Sequence, residues 1–336
     1  TFKDQAKEAG LEDGGFSTHA AFFDYDRDGD LDMYLLNNSF TPIDKLGYTN
    51  LREERDKLGG DKLFRNDSKD GKELHFTDVS ETAGIYGSLI GFGLGITIGD
   101  VNNDNWPDIY ISNDFYERDY LYINQKNGTF KEDLENEMPH ISLSSMGADM
   151  ADLNDDGYMD IFVTDMLPGD DRRLKTTSVF EGYNLVELKK KRGFWHQYMR
   201  NNLQLNNGDG TFSEVGQLAG VHATDWSWGA LIFDMDNDGY KDIFVTNGIK
   251  REVFNKDFNN KQGKGLTENP GLFEGAIRFL PVKKSFNAMF KNNGDLTFTD
   301  SAMDWGLKTK AFNSNGAAYA DLDNDGDLDL ILNNME

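Results

Sequence analysis

The chain has 336 residues, 59 Asp and Glu against 34 Lys and Arg, a formal net charge of -25 and no cysteine. So acidic a surface repels a nucleic-acid backbone, and the missing cysteines exclude disulfides, thiolate zinc sites and a cysteine nucleophile. No apolar run approaches the ~20 residues of a membrane span.

In chain order, Thr1–Asp4 reads as the closing strand of a repeating unit. A first strand then leads into the acidic loop Asp24-Tyr-Asp26-Arg-Asp28-Gly29-Asp30-Leu-Asp32, and the alternating run Asp-Met-Tyr-Leu-Leu leaves it as a second strand. A third strand, Asp61–Asn66, and a fourth, Leu74–Asp78, complete the unit. The order repeats. A second loop holds Asp100, Asn102, Asp104, Asn105, Trp106 and Asp108, followed by strands at Asp119–Asn124 and Gly128–Glu132. A third holds Asp152, Asn154, Asp156, Gly157, Tyr158 and Asp160, with strands at Asn202–Asn206 and Gly210–Glu214. The fourth holds Asp234, Asp236, Asp238, Gly239, Tyr240 and Asp242, with strands at Asn287–Asn292 and Leu296–Asp300. The fifth, with Asp321, Asp323, Asp325, Gly326, Asp327 and Asp329, is followed by a second strand ending at Asn334. Four antiparallel strands per unit, repeated, predict an all-β fold: a β-propeller of four-stranded blades in one domain over 1–336. Four whole blades with one strand before and two after do not close a ring, so the expectation is a stretch of a longer protein.

Each loop places carboxylates or carboxamides at positions 1, 3, 5 and 9. Such a set suits a hard, oxygen-seeking cation, and Ca²⁺, with six to eight oxygens at roughly 2.3–2.6 Å, fits better than Mg²⁺. Position 7 (Asp30, Trp106, Tyr158, Tyr240, Asp327) is read as a backbone-carbonyl ligand, and position 6 requires a left-handed residue, Gly in four copies and Asn105 in one. An EF-hand is excluded. Its position 12 is a bidentate Glu between helices, whereas here it is Leu35, Ile111, Val163, Val245 or Leu332 inside a strand. Up to five Ca²⁺ are expected, with the Asp100 loop the weakest because Asn105 and Trp106 depart from the pattern. Loops of modest affinity fill where calcium is near millimolar, which points outside the cell.

First Asp residues are spaced by 76, 52, 82 and 87 positions. The excess falls between second and third strands, at about 39–60, 167–199 and 249–286, and so on the face opposite the loops. These partly helical insertions hold 19 Lys and Arg but 12 Asp and Glu, a net +7 against -32 for the remainder. Lys189-Lys-Lys-Arg-Gly-Phe-Trp-His-Gln-Tyr198 mixes cations with aromatics. It reads either as a sugar or anion contact surface or as a helix capping the ring. The aromatics Phe194, Trp195, Tyr198, Phe254, Phe258 and Phe273 mark the insertion face as the docking surface. First strands carry Gly95, Gly147, Gly229 or Gly316 five residues before the loop, and His19 takes that place in the first copy, near the expected central channel.

The units resemble the FG-GAP/VCBS repeats of integrin-α-type propellers. The resemblance rests on Asp-x-[Asp/Asn]-x-Asp-Gly-x-x-Asp, on strand endings such as Leu36-Asn37-Asn38 and Thr246-Asn247, and on the segments Phe2 to Leu11, Phe76 to Ile85 and Phe212 to Val221. It is nearest to the subset typified by cartilage acidic protein and UnbV, found in surface and secreted proteins of Bacteroidota. The resemblance implies a seven-bladed ring with calcium on one face and partner contacts on the other. Two function classes follow. The first is a calcium-stabilised extracellular or cell-surface binding module that engages a surface protein complex or glycan; the second is a glycan-active enzyme similar to propeller polysaccharide lyases. The chain shows no Gly-x-Ser-x-Gly, His-Glu-x-x-His or Walker loop, and a non-enzymatic binding module is the expectation.

Overall fold

The computed structural model describes residues 3–41, 46–69, 73–267 and 277–335. β1 (Ser17–Phe23), β2 (Asp32–Asn37), β3 (Lys62–Asn66) and β4 (Phe76–Asp78) form a sheet in that order, each strand antiparallel to the next. β5 (Gly93–Gly99), β6 (Asp108–Asn113), β7 (Tyr120–Asn124) and β8 (Phe130–Glu132) repeat it. A short strand β9 (Ile141–Ser142) precedes the third sheet. That sheet contains β10 (Ala148–Ala151), β11 (Asp160–Val163), β13 (Asn202–Asn206) and β14 (Phe212–Glu214). Within its insertion, β12 (Gln197–Tyr198) pairs in parallel with β9, a clasp that no periodicity in the sequence announced. β15 (Ser227–Phe233), β16 (Asp242–Asn247), β17 (Ala288–Asn292) and β18 (Phe298–Asp300) make the fourth blade, and β19 (Ser314–Ala320) pairs with β20 (Asp329–Asn334). The all-β propeller architecture therefore holds.

Second strands explain how the sheets stack. In β6, Ile109 and Ile111 join the core shared with the first blade, around Tyr34, Leu63 and Tyr122, while Tyr110 faces the third blade with Ile161 and Val163. In β16, Ile243 and Val245 pack back on Phe162 and Leu203, and Phe244 packs forward on Leu330 and Leu332. Alternate side chains thus enter the cores on either side. This is why these strands read as nearly continuous apolar runs.

First strands β1, β5, β10, β15 and β19 neighbour one another in succession and line a channel of about 590 Å³ with His19, Asp149 and Trp228 in its wall. Here the recurrent glycines have a steric cause. A Cβ on Gly147 would sit 2.7 Å from the Trp228 carbonyl oxygen, and one on Gly95 would sit 2.9 Å from the Gly147 Cα. His19, in the first copy, lines the channel as expected.

The expected opening strand is corrected. Thr1 and Phe2 lie outside the described residues, and Lys3 and Asp4 are in no strand. Asp4 instead accepts a hydrogen bond from the Ala6 N–H (3.0 Å) and so starts a turn rather than extending a sheet.

Candidate functional site: the Asp loops and the opposite face

All five loops share one hydrogen-bond pattern. The position-1 carboxylate accepts from the N–H of position 6, at 3.1 Å (Gly29 to Asp24), 2.6 Å (Asn105 to Asp100), 2.8 Å (Gly157 to Asp152), 2.9 Å (Gly239 to Asp234) and 3.2 Å (Gly326 to Asp321). The position-5 carboxylates of Asp28, Asp104, Asp156, Asp238 and Asp325 accept from the N–H of position 7 at 2.9–3.1 Å. Position 6 is left-handed in every copy, from φ 66° at Asn105 to 99° at Gly29. Position 4 is left-handed too, at Arg27, Asn103, Asp155, Asn237 and Asn324. That second reversal was not foreseen, although Asn or Asp in four of five copies was its signal.

The position-9 aspartates do more than was expected of them. Asp32, Asp108, Asp160 and Asp242 are fully buried. One oxygen of each accepts from the N–H of position 2 (Tyr25, Val101, Leu153, Met235) at 2.9–3.1 Å. The other accepts from the N–H that ends the third strand (Asn66, Asn124, Asn206, Asn292) at 2.8–2.9 Å. Burial outweighs these bonds and pushes Asp32 and Asp108 up to about 7 and Asp160 up to about 6. A carboxylate oxygen has further lone pairs to offer, so each of these residues can brace the blade and still face a cation.

The third-strand asparagines were missed as functional residues. In blades two to four the side-chain amide reaches the previous blade's loop: Asn124 donates to Tyr25 O (2.8 Å), Asn206 to Val101 O (2.7 Å) and Asn292 to Leu153 O (2.8 Å), while Asn66 in the first blade donates to Leu31 O of its own loop (3.1 Å). The signal was present, since Asn closes the third strand in all four copies. Position-4 side chains add a second link between loops. Asn103 donates to Gly157 O (2.8 Å), Asn237 to Asp327 (2.6 Å), and the Arg27 guanidinium lies 5.6 Å from the centre of the Trp106 ring.

The donor sets fit a hard divalent cation. Carboxylate oxygens of Asp24, Asp26 and Asp32 lie within 4.8 Å of one another, as do those of Asp234, Asp236 and Asp242 and those of Asp321, Asp323 and Asp325. Two oxygens each roughly 2.3–2.6 Å from one ion can be about that far apart. The Asp100 and Asp152 loops have Asn102 and Asn154 at position 3; the Asn102 side chain accepts from the Asp104 N–H (3.0 Å), and the Asn154 amide donates to Asp156 (2.9 Å). The Asp100 loop keeps the same backbone pattern as the rest. Two loops hold an ammonium against their carboxylates: in the Asp100 loop Lys126 lies 3.2 Å from Asp104, and in the Asp234 loop the Lys291 ammonium of β17 lies 2.7 Å from Asp238 and also contacts Asp236.

On the opposite face the insertions interlock with the connections between blades. Arg52 pairs with buried Glu117 and donates to Gly193 O (3.0 Å). Arg173 donates to Asp225 (2.8 Å) and pairs with Glu252. The basic–aromatic run is a cap and not a free contact surface. Phe194 is fully buried against Ile90 and Tyr116, the Trp195 indole N–H donates to Met138 O (3.0 Å), and Lys189 is buried beside Glu181. Burial of those rings offsets the exposure of the cations around them. Tyr198 (45% exposed) and Phe254 (46%) stay open, Phe258 is half-buried, and Phe273 lies outside the described residues.

A family model described as an FG-GAP-like repeat matches residues 100–163 and 194–245. The chain carries FG-GAP-like repeats. The matched segments contain the second, third and fourth loops, and the first and fifth reproduce their geometry. No curated protein matches the chain. Among solved structures, one on specific recognition of non-reducing terminal N-acetylglucosamine by a lectin of Agrocybe aegerita is similar, at 15% identity and a TM-score of 0.41. The similarity covers 94% of this chain and 60% of that one, so the chain spans less than two thirds of its length. Among the described residues no helix is long and apolar enough to cross a membrane.

Proposed function

We propose that this FG-GAP chain is an extracellular binding module, stiffened by calcium at its Asp loops, whose working surface is the insertion face. In this reading the 25 loop residues named above are structural metal ligands, Ca²⁺ supplies the positive charge that lets five acidic turns close, and the chain performs no catalysis. The observation that carries it is the division of labour between the two faces. The loop face is five copies of one acidic turn, and the large apolar side chains it exposes, Leu31, Tyr240 and Leu322, fall singly, one to a loop. The insertion face is unrepeated, locked by the Arg52 and Arg173 ion pairs, and exposes Phe180 (61%), Tyr183 (77%) and Phe254 (46%). Interface cores favour aromatics and Arg over Asp and Glu. Connections longer than about 12–15 residues are usually functional or disordered, and the Arg52, Arg173 and Phe194 contacts pack the described parts of these. The resemblance to surface proteins of the UnbV-like subset supports a cell-surface location, as does the near-millimolar calcium that such loops require.

The test trims the insertions at 167–199 and 249–286 to the length of the second blade's short connection and measures calcium binding and partner binding side by side. Retained calcium stoichiometry with lost binding of a protein or glycan partner is the expected result. A complex in which the partner is bridged by metals on the Asp loops would overturn it.

A further inference from the structure

Between the second and third insertions lies a cavity of about 130 Å³. Trp226 and Phe254 form one wall, stacked with ring centroids 5.2 Å apart at 27°, and Val179 and Met166 continue it. Arg173 stands at its polar end, held by Asp225 and Glu252. A larger cleft of about 730 Å³ begins at these three residues and runs on past Thr176, Asn255 and Lys283.

Two features of the chamber restrict what enters it. The first is charge. Asp225 and Glu252 are answered by Arg173 and by the Lys283 ammonium 3.5 Å from Asp225. Neither an anion nor a cation finds an uncompensated partner, and inserting either would break partly buried ion pairs. The second is unmet hydrogen bonding. The Ser178 hydroxyl, on a residue 4% exposed, and the Trp226 indole N–H are both buried without a protein partner, and a buried polar group left unpaired is destabilising. The site therefore asks for an uncharged group with one apolar face for the aromatic wall and hydroxyls for the polar end. Its volume is below the roughly 300–1,000 Å³ of pockets for drug-sized ligands, so one ring enters and its neighbours must lie in the cleft.

We propose that the chamber and cleft bind a neutral glycan, with one pyranose ring against Trp226 and Phe254 and the adjoining residues along Thr176, Asn255 and Lys283. This rests on the insertion face being the working surface and names the ligand class for it. Trp226 and Phe254 supply the platform, and Ser178 and Arg173 supply donors for ring hydroxyls.

The test titrates the full chain in saturating Ca²⁺ with short gluco-, manno- and xylo-oligosaccharides, with oligogalacturonate as the anionic counter-probe. Binding is followed by tryptophan emission and calorimetry. At least one neutral series is expected to bind and shift the emission. Phe254→Ala is expected to weaken binding about tenfold and Ser178→Val several-fold, with the melting temperature and calcium stoichiometry unchanged. Failure of every neutral series, or binding of oligogalacturonate alone, overturns the proposal. Should both substitutions leave sugar binding intact while trimming the insertions abolishes it, this site falls and the insertion-face reading stands. Sugar binding that survives the trimming sinks both.

Discussion

At the loop end of each blade, closure comes from backbone N–H groups donating to aspartates: positions 2, 6 and 7 of the loop and the last residue of the third strand all turn onto carboxylates. At the insertion end, closure comes from side chains far apart in sequence, Arg52 with Glu117 and Arg173 with Asp225 and Glu252. The first scheme is local and repeats; the second is non-local and occurs once. A face built by repetition is constrained to one geometry and suits a structural ion. A face built once is free to take the shape a partner needs.

Blades one and two differ from three and four in a way that serves as an internal control. Asp61 accepts from the Asn37 N–H (3.0 Å) and the Tyr34 hydroxyl (3.0 Å), and Asp119 from Asn113 (2.8 Å) and Tyr110 (2.6 Å). The corresponding residues in the later blades are Asn201 and Asn287, which keep the backbone bond, to Asp165 and Asn247. There the tyrosines become Phe162 and Phe244. Where the hydroxyl is absent the carboxylate is absent too, as the cost of a buried unpaired oxygen requires.

The comparison can be broken at the position-9 aspartates first. Asp160→Ala removes the acceptor of two buried N–H groups, those of Leu153 and Asn206. It is expected to cost about 2–4 kcal/mol by chemical denaturation, with the loss persisting without metal because the bracing is independent of the ion. No change in calcium-free buffer would mean that the residue serves the metal alone.

Asp61→Asn gives the next effect, and its sign follows from burial. Desolvation pushes the Asp61 carboxyl from its ordinary value of 3.8 up to about 7. Its stabilising contribution is then complete below about pH 4 and is lost as pH rises through about 7. Denaturation midpoints of parent and variant are expected to diverge over that interval, the parent losing stability relative to the variant, and to run parallel above it. Parallel curves throughout would contradict the assignment.

The smallest expected effect sharpens the ranking of the loops. Lys291 places an ammonium on Asp236 and Asp238, where a bound cation would need those oxygens. Lys291→Ala is expected to raise calcium affinity at that loop roughly fivefold, about 1 kcal/mol for a partly exposed pair, as read by calorimetric titration. Unchanged affinity would return the Asp100 loop to the place of the weakest site.

The blades and loops were legible because each copy solves the same problem with the same residues: period-two strands, a left-handed position 6, an acid at position 9. Lys291 escaped notice because it lies 55 residues from Asp236 and is brought there only by the third strand of its own blade. The insertion face was misread at Phe194 and Trp195 for a related reason. Their burial is set by Ile90, Tyr116 and Met138, which belong to other blades and carry no local signature in the run itself. The Trp226–Phe254 chamber was equally hidden, since its walls come from a connection between blades and two separate insertions.

The most direct test of the account is a thermal melt of the chain in millimolar Ca²⁺ and in excess EGTA. A site saturated a hundredfold above its Kd contributes about 2.7 kcal/mol, and several such sites rival the roughly 5–15 kcal/mol of a typical domain. Chelation is therefore predicted to lower the melting temperature by tens of degrees. An unchanged melt in EGTA would contradict the claim that the Asp loops are structural calcium sites.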